Sequence, residues 1–323
     1  MNIKPFTTFT YSLHFYMIYT IGEIVLDIII KNLDEAQIKP GGSMLNTAIS
    51  LGRLKVPVNH ISVLSRDKAA ELLIDFLHRN AVGSQYIYRE AGIKTNLALA
   101  FLDAQNNAQY SFYKDKAKQT PPLLFPKVKV NDMIHFGSFF GLNPLWHPQL
   151  DAFLSRVNSL NGIVMYDPNF RTPHLHQLPE LFPLIEKNIA HASIVKGSND
   201  DFKNIYGITN GQATWNMIKK LGPTILIYTK GNQGVELFTD AFQLSLEAKK
   251  IKTISTVGAG DTFSAGILFR LYQHLSREKE LMHLDKTAWA QILETATLFA
   301  SETCQSYDNY LSASFANNFL HVQ

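Results

Sequence analysis

The feature that most restricts the fold is a regular alternation. Short apolar runs of strand length alternate with amphipathic stretches of helical length. Ile18–Gly22, Ile61–Ser65, Met133–Gly137, Ile163–Asp167, Ser193–Lys196, Thr224–Thr229 and Val235–Thr239 read as strands. Ser43–Leu54, Lys68–Asn80, Pro148–Leu160, Asp200–Tyr206, Gln212–Leu221, Ala259–His274 and Thr287–Cys304 carry apolar residues at helical spacing. Apolar strands separated by helices imply a mainly parallel sheet covered on both faces.

One region breaks the alternation. Thr95–Leu102 and Gln109–Lys114 are strand-like and flank the polar segment Asp103-Ala104-Gln105-Asn106-Asn107, which reads as an antiparallel hairpin. Together with Ile24–Lys31 and Gln85–Arg89 it is expected to form a small separate sheet. A small sheet inserted into an α/β domain suits a lid, which excludes water from a reactive group.

The charge balance excludes other classes. The net charge is +3, and no Lys or Arg run is dense enough for a nucleic-acid or membrane-surface patch. The single cysteine, Cys304, rules out an intrachain disulfide and fits a reducing, cytoplasmic setting. The histidines show no metal-ligand spacing, so no protein-ligated metal is expected. Glu23 and Asp27 interrupt the apolar run Ile18–Ile30, which therefore does not read as a membrane span. Residues 1–17 read either as a loosely packed extension or as sequence upstream of a start at Met17. Residues 18–323 read as one domain, with the lid at about 24–40 and 85–115.

Four segments could carry chemistry. Gly258-Ala259-Gly260-Asp261 leads into a helical pattern, where free amides and the helix dipole favour an anion. Asp261 there is either a helix cap or a catalytic base. Gly41-Gly42-Ser43-Met44-Leu45-Asn46 permits close approach of a polar ligand, or starts a helix with Ser43 as its cap. Asp167-Pro168-Asn169-Phe170-Arg171 follows a strand, where ligands bind in open α/β sheets, or makes a plain turn. Tyr228-Thr229-Lys230-Gly231-Asn232-Gln233-Gly234 joins two strands as a hairpin turn or borders a nucleotide. The phosphate-loop, dinucleotide and nucleophile-elbow motifs are absent from the sequence.

In this order, the four segments resemble the PfkB-type, ribokinase-like carbohydrate kinases over roughly Ile18 to Ala300, in the fructokinase or ketodeoxygluconate-kinase branch. The resemblance implies a three-layer α/β/α ribokinase-like fold with a β-sheet lid, and ATP-dependent phosphorylation of a sugar hydroxyl. It implies Asp261 as general base, with the amides of Gly258, Ala259 and Gly260 as anion hole. Asp27, Gly41, Gly42, Asn46 and Arg171 would bind the sugar. Lys196, Ser198, Thr229, Gly231 and Gly234 would border the nucleotide, which would carry Mg²⁺. Fructose or a related keto sugar is the expected acceptor. A nucleoside kinase of the same fold and a catalytically silent sugar-binding protein are the alternatives. Family lids often pair, so a homodimer through the lid is one expectation; the sequence leaves the oligomeric state open.

The chain departs from the family pattern in places. Ser255 stands where an aspartate usually helps to hold potassium, which makes a monovalent-cation site doubtful. Arg66-Asp67-Lys68-Ala69-Ala70 lacks two glycines usual after the strand near residue 65. Ser198-Asn199-Asp200-Asp201 has Asp where the metal-linked segment usually has Glu.

Overall fold

The structure is a computed structural model and describes residues 16–102, 108–115, 120–275, 281 and 284–322. The expectations for residues 1–15 and for the turn at 103–107 lie outside these.

Strands and helices are numbered along the chain. The large sheet contains β1 (Ile18–Ile21), β4 (Val58–Leu64), β5 (Val82–Arg89), β8 (Met133–Gly137), β9 (Ile163–Asp167), β10 (Ile194–Ser198), β11 (Ile225–Thr229), β12 (Val235–Phe238) and β13 (Gln243–Leu246). Its order is β13-β12-β11-β10-β9-β8-β1-β4-β5. Pairing is parallel from β5 through β11 and antiparallel from β11 to β13.

Successive side chains on a strand point to opposite faces. Here both faces are apolar and buried. Ile163, Met165 and Ile194 face one core, while Val164, Tyr166 and Val195 face the other. Helices α1 (Ser43–Arg53), α2 (Lys68–Arg79), α7 (Ala259–Leu275), α8 (Lys286–Thr303) and α9 (Ala313–Val322) lie over the first face. Helices α3 (His147–Ser159), α4 (Leu178–His191), α5 (Asn199–Tyr206) and α6 (Gly211–Ile218) lie over the second. The result is the expected α/β/α stack, which places the carboxyl ends of the parallel strands along one rim.

The small sheet has four strands in the order β3-β2-β6-β7. They are β2 (Val25–Ile30), β3 (Ala36–Gly41), β6 (Leu97–Leu102) and β7 (Ala108–Tyr113). Here the sequence reading needs a correction. Gln85–Arg89 belongs to β5, the edge strand of the large sheet, and pairs in parallel with β4. The chain leaves α2, turns at Ala81 with φ +56°, and buries Val82 and Ile87 in the core. Tyr86 meets Tyr19 edge-on, with ring centroids 5.8 Å apart. The fourth place in the small sheet goes instead to Ala36–Gly41, so that sheet spans 25–41 and 97–113.

Two segments that depart from the family pattern have structural uses. Asp67 caps α2 through the Ala70 amide and accepts from the Thr95 amide (2.8 Å) and hydroxyl (2.6 Å). Desolvation pushes its carboxyl up, but the hydrogen bonds, those from Thr95 first, outweigh it and hold it at about 2. The start of α2 is thereby tied to the base of the small sheet. Asp201 closes a capping box with Ser198 at the start of α5 and accepts from the Phe170 amide at 2.6 Å. Its oxygens are engaged by the fold.

Candidate active site

Asp261 occupies the third residue of α7, so it does not sit at the cap position. Its carboxylate reaches α1 instead. Ser43 Oγ donates to one oxygen at 2.5 Å and Asn46 Nδ2 to the other at 2.8 Å. Thr47 Oγ1 donates to the Asp261 backbone carbonyl at 2.9 Å. Residues three and four apart share one face of a helix, which is why Ser43, Asn46 and Thr47 converge on one partner. Asp261 is partly buried, and desolvation raises its pKa against the lowering effect of those hydrogen bonds and of Lys196. The carboxylate is therefore fixed in direction.

Ser43 is the first residue of α1 rather than its cap; the cap position belongs to Gly42. Gly42 has φ +127°, a conformation that favours glycine, and its Cα packs on the Glu23 carbonyl so closely that a Cβ would overlap it. At Gly41 a Cβ would overlap the Asp27 carboxylate. The Gly pair thus brings the α1 N-terminus down beside Asp27 on β2. Burial, reinforced by Glu23, pushes the Asp27 carboxyl up to about 7. Asn46 Oδ1 is buried and has no partner among the described residues. A desolvated carboxylate and an unpaired amide oxygen on adjacent elements suit a ligand that brings hydroxyl donors.

The turn before α7 holds amides open. Gly258, at φ +79°, packs on the Asn309 backbone with no room for a Cβ. The Ala259 amide turns back to the Thr256 carbonyl at 3.3 Å. The Gly260 and Asp261 amides, at the first turn of the helix, lack a partner within it. The Ala259 amide is thus engaged by the turn itself, while the Gly260 and Asp261 amides stay open.

Lys196, expected near the nucleotide, forms a buried ion pair with Asp167 at 2.6 Å and also donates to the Gly260 carbonyl at 3.3 Å. Asn169 stands at φ +42° and donates its amide to Asp167. Arg171 is exposed; its carbonyl accepts from the His174 amide at 3.0 Å, while its side chain makes no hydrogen bond or ion pair among the described residues. On the neighbouring rim, Thr229 donates to the Gly197 carbonyl at 3.3 Å, and the turn after it has Gly231 at φ +57° and Gly234 at φ +93°.

A cavity of about 690 Å³ lies between the small sheet and the strand ends, lined among others by Glu23, Ser65, Asn96, Lys114, Phe139 and Trp146. Glu23 accepts from Asn96 (2.9 Å) and Lys114 (2.8 Å), which ties β6 and the end of β7 to the body. Sequence reasoning missed Glu23, Ser43 and Thr47. Only the three- and four-residue spacing of Asn46 and Thr47 from Ser43 could have pointed to the last two.

Among the described residues no cluster of three or more His, Cys, Asp or Glu could hold a metal ion. A divalent ion here would be held chiefly by phosphate oxygens and water, as Mg²⁺ commonly is.

Residues 17–313 match the pfkB family carbohydrate kinase domain, and the chain belongs to that family. It is a carbohydrate kinase, a phosphotransferase, of a family that uses ATP, generally with a divalent metal. A fructokinase of Rhizobium leguminosarum bv. trifolii is 27% identical over 289 residues, covering 84% of this chain and 85% of that protein. An aminoimidazole riboside kinase of Salmonella typhimurium is 25% identical, covering 79% and 80%. Among solved structures, the fructokinase of Vibrio cholerae O395 in a fructose-, ADP- and calcium-bound form superposes with TM-score 0.81 at 19% identity, covering 95% of this chain and 99% of that one. No described helix is long and apolar enough to cross a membrane.

Proposed function

We propose that the protein transfers the γ-phosphoryl group of ATP to a hydroxyl of a free keto sugar, with fructose the favoured acceptor. The observation that carries this reading is the fixed Asp261 carboxylate, hydrogen-bonded by Ser43 and Asn46 beside the open amides of Gly258 and Gly260.

The acceptor lies between Asp27, the Gly41-Gly42 backbone and Asn46. Its hydroxyls donate to the Asp27 carboxylate and to Asn46 Oδ1, which has no other partner. Asp261 removes the proton from the attacking hydroxyl. The Gly258 and Gly260 amides hold oxygens of the group in transfer, and the α7 N-terminus favours its negative charge. Phosphoryl transfer gains chiefly from such positioning and charge stabilisation. Mg²⁺, when bound with the nucleotide, neutralises phosphate charge. Thr229, Gly231 and Gly234 border the nucleotide. The small sheet acts as the lid over the acceptor.

The preference for a keto sugar rests on relatives that are fructokinases and on the polar wall of Glu23, Asn96 and Lys114. Coupled ADP release over fructose, tagatose, ketodeoxygluconate, ribose and adenosine tests it. The highest kcat/KM belongs to fructose or another keto sugar; a nucleoside in first place overturns the preference.

The lid also has an outward apolar face. Cross-strand register puts Ile28, Ile38, Leu99, Ile30 and Phe101 on one side, with Ile38 64% exposed and Phe101 44% exposed. Exposed apolar patches of this kind mark contact surfaces. We therefore place a homodimer contact there.

A further inference from the structure

We propose that Lys39 is a positioning residue that couples the lid to the anion hole; the role in turnover rests on the kinase reading above. Lys39 lies on β3 and is the cross-strand partner of Asp27. Its ammonium leaves the small sheet and donates to the Tyr307 carbonyl at 2.9 Å and to the Asp308 carboxylate at 3.1 Å.

Those acceptors belong to the turn between α8 and α9, which stands directly behind the anion hole. Asn309, the next residue, is the backbone against which Gly258 packs. At the end of α8, the Cys304 carbonyl accepts from the Ile254 amide (2.8 Å) and the Ser255 amide (3.3 Å). Segment 304–309 is thus a buttress for 254–258. Its far side is anchored on α1, where Arg53 donates to the Leu311 carbonyl and lies over the Tyr310 ring at 4.7 Å. Residues 307 and 308, between these anchors, are what Lys39 holds.

The ion pair is part-exposed, with side-chain accessibilities of 15% for Lys39 and 42% for Asp308. Pairs of that kind add little to global stability. Its consequence lies in placement. The strand that carries the acceptor-side residues Lys39 and Gly41 is joined by the Lys39 side chain to the support of Gly258. An acceptor that holds β3 on the body thereby also holds the phosphoryl-binding amides in register with Asp261. Misplacement by about 1 Å can cost on the order of 10²-fold in rate, so loss of this tie acts on turnover while the fold persists.

The test uses the full chain and the variants Lys39→Ala, Lys39→Arg and Asp308→Ala. Two readouts are needed: steady-state kinetics with the acceptor the unmodified protein prefers, and amide hydrogen exchange of segments 36–41 and 254–260. Lys39→Ala is expected to lower kcat about tenfold, to leave the KM for ATP and the melting temperature unchanged, and to speed exchange in 254–260. Lys39→Arg, which can donate to both acceptors, restores most of the rate. Asp308→Ala, combined with Lys39→Ala, adds nothing further. Faster exchange confined to 36–41, or an unchanged kcat, overturns the coupling. Should the unmodified protein phosphorylate no sugar, the kinase reading fails by itself. The exchange at 254–260 still decides the role of Lys39.

Discussion

The Lys196 ammonium and the Asp167 carboxylate meet at 2.6 Å at the carboxyl ends of two adjacent strands, almost wholly out of water. Breaking a buried pair leaves one charge uncompensated, which costs about 3–5 kcal/mol. Lys196→Met is therefore expected to lose stability of that order in urea unfolding, and the double variant Lys196→Met/Asp167→Leu to recover most of it. Lys196 also lowers the Asp261 pKa. In the single variant the acidic limb of kcat/KM moves to higher pH; a limb that stays in place contradicts the electrostatic link.

Asp27 gives a second pH dependence. Burial first, and Glu23 second, raise its carboxyl from 3.8 to about 7. A carboxyl raised in the folded state contributes stability below its unfolded pKa, and that contribution is lost as pH rises through the folded value. Asp27→Asn should thus stabilise the protein at pH 8, on the order of 1–3 kcal/mol, and hardly at pH 4. Acceptor KM in the unmodified protein should rise as pH falls below about 7, because a protonated carboxyl accepts sugar hydroxyls poorly. A flat acceptor KM between pH 5 and 8 counts against Asp27 as a sugar ligand.

Much of the fold was legible because parallel strands buried on both faces are apolar throughout, as in Ile163–Asp167 and Ile225–Thr229. Leu178–His191 was not. Pro179, in the first turn where proline is tolerated, and Pro183, inside the helix, hide it, while Leu181, Ile185 and Ile189 still form its buried stripe. Gln85–Arg89 misled because an edge strand shows the same half-exposed pattern as a lid strand. In the site, local order placed Gly258 and Asp261 at the start of a helix, but left Asp261 open between cap and base. The Lys196–Asp167 pair was not, since it depends on the register of strands 29 residues apart.

Ser255 bears on potassium. Its hydroxyl accepts from the Val257 amide at 3.2 Å, and the Ile254 and Ser255 amides close onto Cys304. Protein hydrogen bonds thus hold the loop at the place where a carboxylate ligand to the ion would stand, and a neutral hydroxyl is a weaker donor to a hard cation. Exchanging potassium for tetramethylammonium at constant ionic strength should change activity little. Strong potassium activation would refute this role for Ser255.

The lid contact predicts a dimer in solution. Multi-angle light scattering should give twice the chain mass, and Ile38→Lys, which charges the most exposed position of the apolar face, should give monomers with an unchanged melting transition. A monomeric unmodified protein removes the homodimer.

The most direct measurement is single-turnover phosphoryl transfer to fructose by the unmodified protein and by Asp261→Asn. The asparagine keeps the shape of the side chain beside Ser43 and Asn46 but cannot take the hydroxyl proton. The variant should fold, bind ATP as before, and transfer at least ~10²-fold more slowly, the range a positioned general base supplies. Transfer at a near-normal rate by a folded Asp261→Asn protein would contradict the assignment of Asp261 as the base.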